Sequence, residues 1–456
     1  MSRLEQDPIV ATPPPEVDER ELQLDLTSAA GAAALEVPPE ILAQTLGEYM
    51  RAWLVRLRSG ESGVLPVLVG LVVITVVFQA ISPNHVFLSA GNLVNLFQQS
   101  AIFMVLGMAE IFVLLLGEID LSAGFMAGIA GVIAVQAVQP ATIGLPWWVA
   151  VLLAITMGIL VGAFNGGLIT LLRLPSFVVT LGTYLILNGL MLYLLLLGPF
   201  SGYPSLIGPA DGQKTLHELM WGTIDPGLSW VVMGAIVAGL GVSLWMRDSR
   251  RRRSGLVAPP PSLTLLKIGM MALVGVAVVA ICDVNRAAIG TLSGVPWVIG
   301  IVLVIVAAWG LLLQRTRYGR AVYAIGGNPE AARRAGISLI RVRTLAFILC
   351  SVTAAIAGLL YVSYLDGASN NINGGQLVLF AVAAAVIGGT SLFGGRGKVM
   401  HGVLGGLVIG GIYNGMYLLG LDIKPQLIAT GLVLLAAVTI DAVSRRGSAP
   451  GGAAHA

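Results

Sequence analysis

Long runs of apolar residues alternate with short polar segments from about residue 64 to about residue 443. Runs of about 20 residues are long enough to cross the hydrocarbon core of a bilayer as α-helices, which satisfy their own backbone hydrogen bonds in lipid. The pattern predicts an all-α, polytopic membrane protein with about 12 (10–12) transmembrane helices. The predicted spans are residues 64–81, 92–116, 121–139, 146–172, 176–198, 229–246, 263–282, 292–313, 343–364, 376–391, 400–419 and 425–443.

Basic residues between the runs predict the orientation of the chain. Loops rich in Lys and Arg stay on the cytoplasmic side of a membrane. Twelve spans that start from a cytoplasmic N-terminus put every basic cluster on that side, so both termini are expected in the cytoplasm. The clusters are Arg51/Arg56/Arg58, Arg247 with Arg250–Arg253, Arg315 through Arg343, Arg396/Lys398 and Arg445/Arg446.

Polar sequences flank the membrane domain at both ends. Residues 1–37 are acidic and Pro-rich, which predicts a disordered tail and no cleavable signal peptide. Residues 38–60 predict an amphipathic cytoplasmic helix along the inner membrane surface, or else an extension of the first span. The transmembrane domain is predicted over 61–443, and a second disordered tail over 444–456.

Composition supports the membrane class and argues against an enzyme. Hydrophobic residues make up 56% of the chain and charged residues 11%, whereas soluble domains have about 25% charged residues. Cys282, Cys350 and the scattered histidines give no disulfide framework and no metal site. The segment 394–399 lacks the spacing and the hydroxyl of a Walker A loop. We therefore expect no catalytic residues, no ATP hydrolysis, no cofactor in this chain and no nucleic-acid partner, but contact with membrane lipid.

The chain also contains a weak internal repeat. Phe164-Asn165-Gly166, followed by Pro175 and Thr180, recurs as Tyr413-Asn414-Gly415, followed by Pro425 and Thr430; the segment 117–124 likewise resembles 388–395. Transport pathways often lie between duplicated halves. Two runs separate these markers in the first half and one in the second, which suggests that 121–139 is broken or re-entrant. Its removal would disturb the distribution of basic residues, and the conflict stays open at this point.

Polar residues inside predicted spans are candidates for the translocation path because they are costly to place in lipid. Asp120 either lines this path or caps a helix that begins at Leu121, and the cap is the preferred interpretation. Buried amides more often link helices than bind a substrate. The repeat puts Asn165 and Asn414 in equivalent places. The candidates for the path are Glu110, Glu118, Asp120, Asn165, Asn188 and Asn414.

The polar segment 323–336 stands between two long apolar runs. Asn328 is a good N-cap, Pro329 suits the first helical position, and Gly336 is typical of the residue that follows a helix. These residues predict a short helix outside the bilayer. Such a helix serves either as a contact for a second protein or as part of a solvated loop.

Several motifs together resemble the permease subunits of ABC sugar importers, in the ribose/xylose branch. They are Gly117–Gly124, where Glu118 replaces the second Gly of the family motif, then Ala324–Ile337, Ile387–Leu392 with Gly394–Gly397, and Asn414-Gly415. The added length over 199–290 is more similar to the xylose-type permeases. The resemblance covers most of the chain from about 64 to 443.

This resemblance implies a bacterial cytoplasmic (inner) membrane protein that imports a monosaccharide, most simply a xylose-like pentose. It implies a second permease copy in a homodimer, partner ATPase subunits that bind ATP and Mg, and an extracytoplasmic sugar-binding protein. The outer segments 199–228 and 366–373 are candidate contacts for that binding protein. In the cytoplasmic coupling segment, about 314–342, the residues implied to contact the ATPase are Gly327, Asn328, Glu330, Ala331, Ala332 and Gly336.

Two alternatives belong to other classes. An ion-coupled secondary sugar transporter would use Glu110 or Asp120 as its ion site and would need no ATPase. A membrane enzyme or receptor is a weaker alternative because no reactive set of residues is visible in the sequence.

Overall fold

A computed structural model of the chain describes residues 65–447, apart from 198–201, 203, 257, 288–289, 371 and 422, together with residues 47, 48 and 51. The predicted N-terminal tail, nearly all of the predicted amphipathic helix and residues 448–456 of the predicted C-terminal tail lie outside the described residues.

The described residues fold into α-helices joined by short connections. In addition, Pro83–Leu88 forms a 3₁₀ turn, Tyr193–Leu197 continues α5 as a π-helical turn, and β1 (Thr223–Ile224) pairs antiparallel with β2 (Val295–Pro296). The helices are α1 (Leu65–Ile81), α2 (Ala90–Leu114), α3 (Ala123–Val138), α4 (Trp147–Leu171), α5 (Ser176–Leu192), α6 (Asp211–Trp221), α7 (Pro226–Arg253), α8 (Pro261–Asp283), α9 (Trp297–Arg315), α10 (Arg317–Gly327), α11 (Pro329–Arg334), α12 (Leu339–Tyr364), α13 (Gly374–Ile387), α14 (Val399–Leu418) and α15 (Ile423–Gly447).

The all-α membrane architecture predicted from the sequence is confirmed. Within the described residues, 8 helices are long and apolar enough to cross a membrane, namely α2, α4, α5 with its π turn, α7, α8, α9, α12 and α14. Shorter apolar helices are α1, α3, α13 and the part of α15 over Lys424–Ala436. Every predicted run therefore corresponds to one helix.

The bundle is built around α2, whose residues from Gln98 to Leu114 are all buried. Glycines let neighbouring helices approach its backbone closely. A Cβ added at Gly402 of α14 would lie 2.6 Å from the amide nitrogen of Met108, and one at Gly406 would lie 2.5 Å from that of Met104. Both positions therefore need glycine for this packing.

The short helix α3 crosses only part of the bundle. Its 16 residues extend about 24 Å, less than the roughly 30 Å hydrocarbon core. Ala127 of α3 contacts Gly358 and Gly131 contacts Val362, so α3 runs beside the second half of α12. The stretch 115–122 that leads to α3 is not a continuous helix.

This geometry resolves the conflict over residues 121–139. Leu115 lies at the end of the bundle that carries α10, since it contacts Gly326, whereas Val138 contacts Gly212 of α6 at the other end. The segment 115–138 therefore passes from one end of the bundle to the other, and the span is broken rather than re-entrant. Because the segment still crosses the bundle, the short helix α3 does not change the number of crossings. It therefore agrees with the distribution of basic residues.

Residue contacts divide the chain into two compact units. One contains Gly234–Gly275, with the parts of α7 and α8 next to their connection; there, the carboxylate of Asp248 accepts hydrogen bonds from Arg247 Nε and Thr264 Oγ1, both 3.0 Å. The other unit contains the remaining helices and every residue of the sites below.

Candidate functional site

A buried polar network lies where α3 begins. Asp120 Oδ1 accepts hydrogen bonds from the backbone N–H of Ser122, at 3.0 Å, and from its hydroxyl, at 2.5 Å. Asn165 of α4 donates to the Ser122 hydroxyl at 2.9 Å, and Thr183 of α5 donates to the Asn165 carbonyl oxygen at 2.6 Å. The network therefore ties the non-helical lead-in of α3 to two other helices.

The prediction that Asp120 caps a helix beginning at Leu121 is wrong, because the helix begins two residues later. Leu121 and Ser122 form a turn, α3 begins at Ala123, and Ser122 occupies the N-cap position. Asp120 instead stabilises this turn by accepting the N–H two residues on, as Asp side chains commonly do in turns. Its second oxygen, Oδ2, is buried and has no hydrogen-bond partner among the described residues.

Glu110 lies beside Asp120 in the interior of the bundle. It is fully buried, and neither carboxyl oxygen has a hydrogen-bond partner in the part of the chain that the structure describes. Cys350 of α12 lies next to Asp120 on another side. Two acidic side chains and a thiol from α2, the α3 lead-in and α12 thus meet in one buried place.

Glu118 lies outside this network. Its carboxylate is 3.7 Å from Arg343 Nη1 near the beginning of α12, and both side chains are partly exposed. This ion pair lies at the α10 end of the bundle, because the neighbouring Gly117 contacts Phe393 in the loop after α13. The two similar segments 117–124 and 388–395 therefore contact each other.

Asn165 and Asn414 have equivalent places in the repeat but do not meet. Asn414 exchanges hydrogen bonds of 2.9 and 3.1 Å with Asn92 of α2, which also donates to the Phe87 carbonyl. Asn414 therefore links α14 to α2. Asn188 is half-buried on α5 and has no hydrogen-bond partner within the described residues.

The structure contains the predicted short helix in the polar segment. Asn328 caps α11 by accepting the N–H of Ala331 at 3.0 Å, and Pro329 is its first residue. Glu330 forms exposed ion pairs with Arg333, at 2.9 Å, and Arg334, at 3.4 Å. Gly336, which follows the helix, has φ +81. Of the other implied contact residues, Ala331 and Gly327 are exposed and Ala332 is buried.

Backbone contacts hold α10, the helix before α11, against the bundle. A side chain at Gly326 would overlap the carbonyl oxygen of Leu115 and would lie 2.6 Å from the amide nitrogen of Gly395. Gly395 N–H donates to that same carbonyl at 2.9 Å. Tyr323 donates its hydroxyl to the Gly397 carbonyl at 2.8 Å, and burial raises the pKa of Tyr323, which favours this neutral donor.

Gly326, Gly395 and Tyr323 were not among the residues predicted from the sequence. Tyr323 and Gly326 do lie in the polar segment 323–336, and Gly395 lies in the motif Gly394–Gly397, but neither these motifs nor the repeat indicated that the segments pack together. At this place the turn after α2, the loop after α13 and the end of α10 converge.

At the other end of the bundle, the two segments predicted to face outward are joined. Ser205 and Gly367 form an antiparallel backbone bridge, and His217 Nδ1 lies 2.7 Å from Asp366 Oδ1. Ser363 of α12 donates to the carbonyl of His217 at 2.9 Å. The described residues of 199–228 and the residues that follow α12 therefore form one continuous surface.

Comparison with known proteins places the chain in a transport family. Residues 92–440 match the family described as "Branched-chain amino acid transport system / permease component". The chain is 34% identical over 397 residues to the xylose transport system permease protein of Haemophilus influenzae, covering 86% of this chain and 99% of that protein. It is 33% identical over 388 residues to its Escherichia coli K12 counterpart, covering 84% and 92%.

A third relative is the ribose import permease protein of Escherichia coli K12, which is 28% identical over 394 residues, covering 86% of this chain and 95% of the relative. No solved structure matches the chain. The match extends over most of the helices described above. The chain therefore belongs to the family of branched-chain amino acid transport system permease components.

Proposed function

We propose that this chain is the transmembrane permease subunit of an ATP-driven importer that moves a monosaccharide into the cytoplasm. A xylose-like pentose is the preferred substrate, because two of the relatives named above are xylose permeases. The family match and the ribose relative support the broader class of sugar import. The chain itself contributes no catalytic step.

One observation supports a role of α11 in coupling to the ATPase. The capped helix α11 follows directly on α10, and α10 contacts the backbone of Leu115 through Gly326. The turn at Leu115 leads within a few residues to Glu118 and to Asp120 at the start of α3. A movement of α11 can therefore be transmitted to the buried polar network through α10 and its close contact at Gly326.

The mechanism follows from this route. Partner ATPase subunits, which bind ATP and Mg, contact α11 through its exposed residues and move it as a lever when they close. The turn after α2 and the lead-in to α3 shift with α10, and the pathway changes the side to which it opens. The Glu118–Arg343 ion pair lies on this route, with 3.7 Å between Arg343 Nη1 and the Glu118 carboxylate.

The proposal also includes the partner proteins and the orientation of the chain in the membrane. Two copies of the permease form a homodimer on two ATPase subunits in a bacterial inner membrane, with α11 and both termini in the cytoplasm. An extracytoplasmic sugar-binding protein docks on the joined outer surface that contains Ser205, His217 and Asp366. The continuity of that surface supports a single docking area.

A second candidate function is an ion-coupled sugar transporter, which one observation favours. Glu110 and Asp120 are adjacent, buried and incompletely hydrogen-bonded, and such intramembrane carboxyl groups often bind coupling ions. The family match supports the ATP-driven alternative instead.

The deciding experiment purifies the tagged chain from its native host in mild detergent and identifies the proteins that accompany it. We expect a stoichiometric partner with a Walker A loop, and ATP-dependent sugar uptake after reconstitution with the binding protein. Uptake driven by a proton or sodium gradient in proteoliposomes that contain this chain alone would reject the proposal in favour of the ion-coupled transporter.

A further inference from the structure

A group of tyrosines lies at the end of the bundle opposite to α11. Tyr361 and Tyr364 are in the last turn of α12, and Tyr413 and Tyr417 are in the last two turns of α14. Tyr361 lies close to Tyr364 and Tyr413, and Tyr417 lies close to Tyr413 and Tyr364. The four side chains of this tyrosine cluster therefore share one region, in which Tyr361, Tyr364 and Tyr413 are half-buried and Tyr417 is exposed.

Polar and aromatic groups from other helices extend the cluster. Gln99 of α2 donates to the Tyr364 hydroxyl at 2.9 Å. The ring of Trp221 lies nearly parallel to that of Tyr364, with centroids 5.8 Å apart. Deeper in the bundle, Phe103 packs against Tyr413 with centroids 5.9 Å apart. The cluster thus joins aromatic rings to the polar pair of Gln99 and the Tyr364 hydroxyl.

Unused hydrogen-bonding groups remain in this region. The hydroxyls of Tyr361, Tyr413 and Tyr417 make no hydrogen bond to the residues that the structure describes, and they are not fully buried, with Tyr417 64% exposed. Gln99 is only 3% exposed, yet its Oε1 is buried without a partner there. Buried polar atoms are normally satisfied, so an unpaired amide oxygen beside free phenols points to a polar ligand.

The chemistry of the tyrosine cluster fits a monosaccharide. A sugar presents hydroxyl groups around its edge and C–H groups on its faces. Tyrosine combines an aromatic face with a hydroxyl at its tip, and ligand sites commonly join aromatic walls to a few polar groups that fix orientation. Membrane proteins also place tyrosines at the lipid interface, but those face outward, whereas three members of this cluster are half-buried between helices.

We propose that the outer ends of α2, α12 and α14 form an entrance site where the tyrosine cluster and Gln99 bind the monosaccharide before it passes inward. The inference rests on the proposed function, since it takes a sugar as the ligand. The tyrosine cluster and Gln99 are not among the path candidates predicted from the sequence, and the entrance site is separate from the deeper network at Asp120.

The first test measures whether a thiol reagent reaches position 413 and whether xylose protects that position from the reagent. A Tyr413→Cys variant is treated with a membrane-impermeant thiol reagent, with and without millimolar xylose, and unmodified protein controls for Cys282 and Cys350. We expect labelling that xylose slows severalfold. Tyr193→Cys, at an exposed position in the π turn after α5, is the matched control and should react equally in both conditions.

The second test measures uptake by Tyr361→Phe and Tyr413→Phe, which remove only a hydroxyl. Each is expected to slow ATP-driven xylose uptake by about two- to tenfold, as the loss of one hydrogen bond implies, with Tyr193→Phe unchanged. Unprotected labelling at position 413, or full uptake by the double Phe variant, would overturn the entrance site. So would copy-to-copy disulfides of Tyr417→Cys, which would assign the face to contact between permeases.

The two tests separate the inference from the proposed function. If the wild-type complex takes up no sugar with ATP, the proposed function fails, while the labelling result still decides whether xylose reaches the tyrosine cluster.

Discussion

Gly326 lies so close to Leu115 that a side chain at position 326 would overlap the Leu115 carbonyl oxygen. The contact joins the helix before α11 to the turn after α2 through backbone alone. No flexible side chain intervenes, so movement of α10 relative to that turn requires the backbones themselves to separate.

Gly326→Ala is therefore expected to destabilise this junction by about 1–3 kcal/mol, the usual cost of forcing extra atoms into a packed site. Thermal unfolding in detergent measures the loss, and ATP-dependent uptake should fall with it. Gly327→Ala is the matched control for the melting temperature, because a Cβ at that position meets no atom within 4 Å. Equal melting temperatures for the two variants would contradict the close contact.

Glu330→Arg is expected to abolish uptake while the protein still inserts and folds. Glu330 is 53% exposed, and exposed ion pairs such as those to Arg333 and Arg334 contribute little to stability. Loss of co-purifying ATPase is the direct measurement. Lys214→Glu, which reverses an exposed charge paired with Glu218 in α6, should retain the ATPase. Normal uptake by Glu330→Arg would mean that α11 is only a connecting segment.

Asn165→Ala is expected to lower the free energy of unfolding by about 1–3 kcal/mol, because it leaves the buried Ser122 and Thr183 hydroxyls without their shared partner. Thermal melting is again the measurement. Asn188→Ala, which removes an amide without a described partner, should change stability by less than about 0.5 kcal/mol. A similar loss in both variants would show that the network does not stabilise the start of α3.

Glu110→Gln distinguishes the two candidate functions. The amide has nearly the same shape, and the carboxyl oxygens of Glu110 have no described hydrogen-bond partner to lose. ATP-driven uptake is therefore expected to remain within about twofold of wild type. Complete loss of uptake, together with ion-dependent uptake by the unmodified chain, would assign Glu110 to an ion site.

The sequence was sufficient to predict those parts of the structure that neighbouring residues determine. The beginning of α11 at Pro329 follows from the Asn328 cap, and Gly336 follows its end, because these residues act on their immediate neighbours. The apolar helices, 8 long and 4 shorter ones among the described residues, also follow from the lengths of the apolar runs.

Contacts between distant segments could not be predicted in the same way. The repeat made Asn165 and Asn414 equivalent, but one bonds Ser122 and Thr183 and the other bonds Asn92. The partner of a buried amide depends on which helices lie beside it, and a single sequence does not contain that information. The observed start of α3 at Ala123 differs from the predicted start at Leu121 for a related reason. Asp120 stabilises a turn at Leu121 and Ser122 within a buried network that joins distant helices.

The junction of the segment 204–228 with α12 has a consequence for communication between the two ends of the bundle. The Ser205–Gly367 bridge and the His217–Asp366 pair fix the outer surface to one end of a 26-residue helix. Such a helix is a rod of about 39 Å. Near its other end, Arg343 meets Glu118. A force that tilts α12 at the Ser205–Gly367 end would therefore turn the end with Arg343 through the same angle, so that a change at one end of the bundle reaches the other through a single helix.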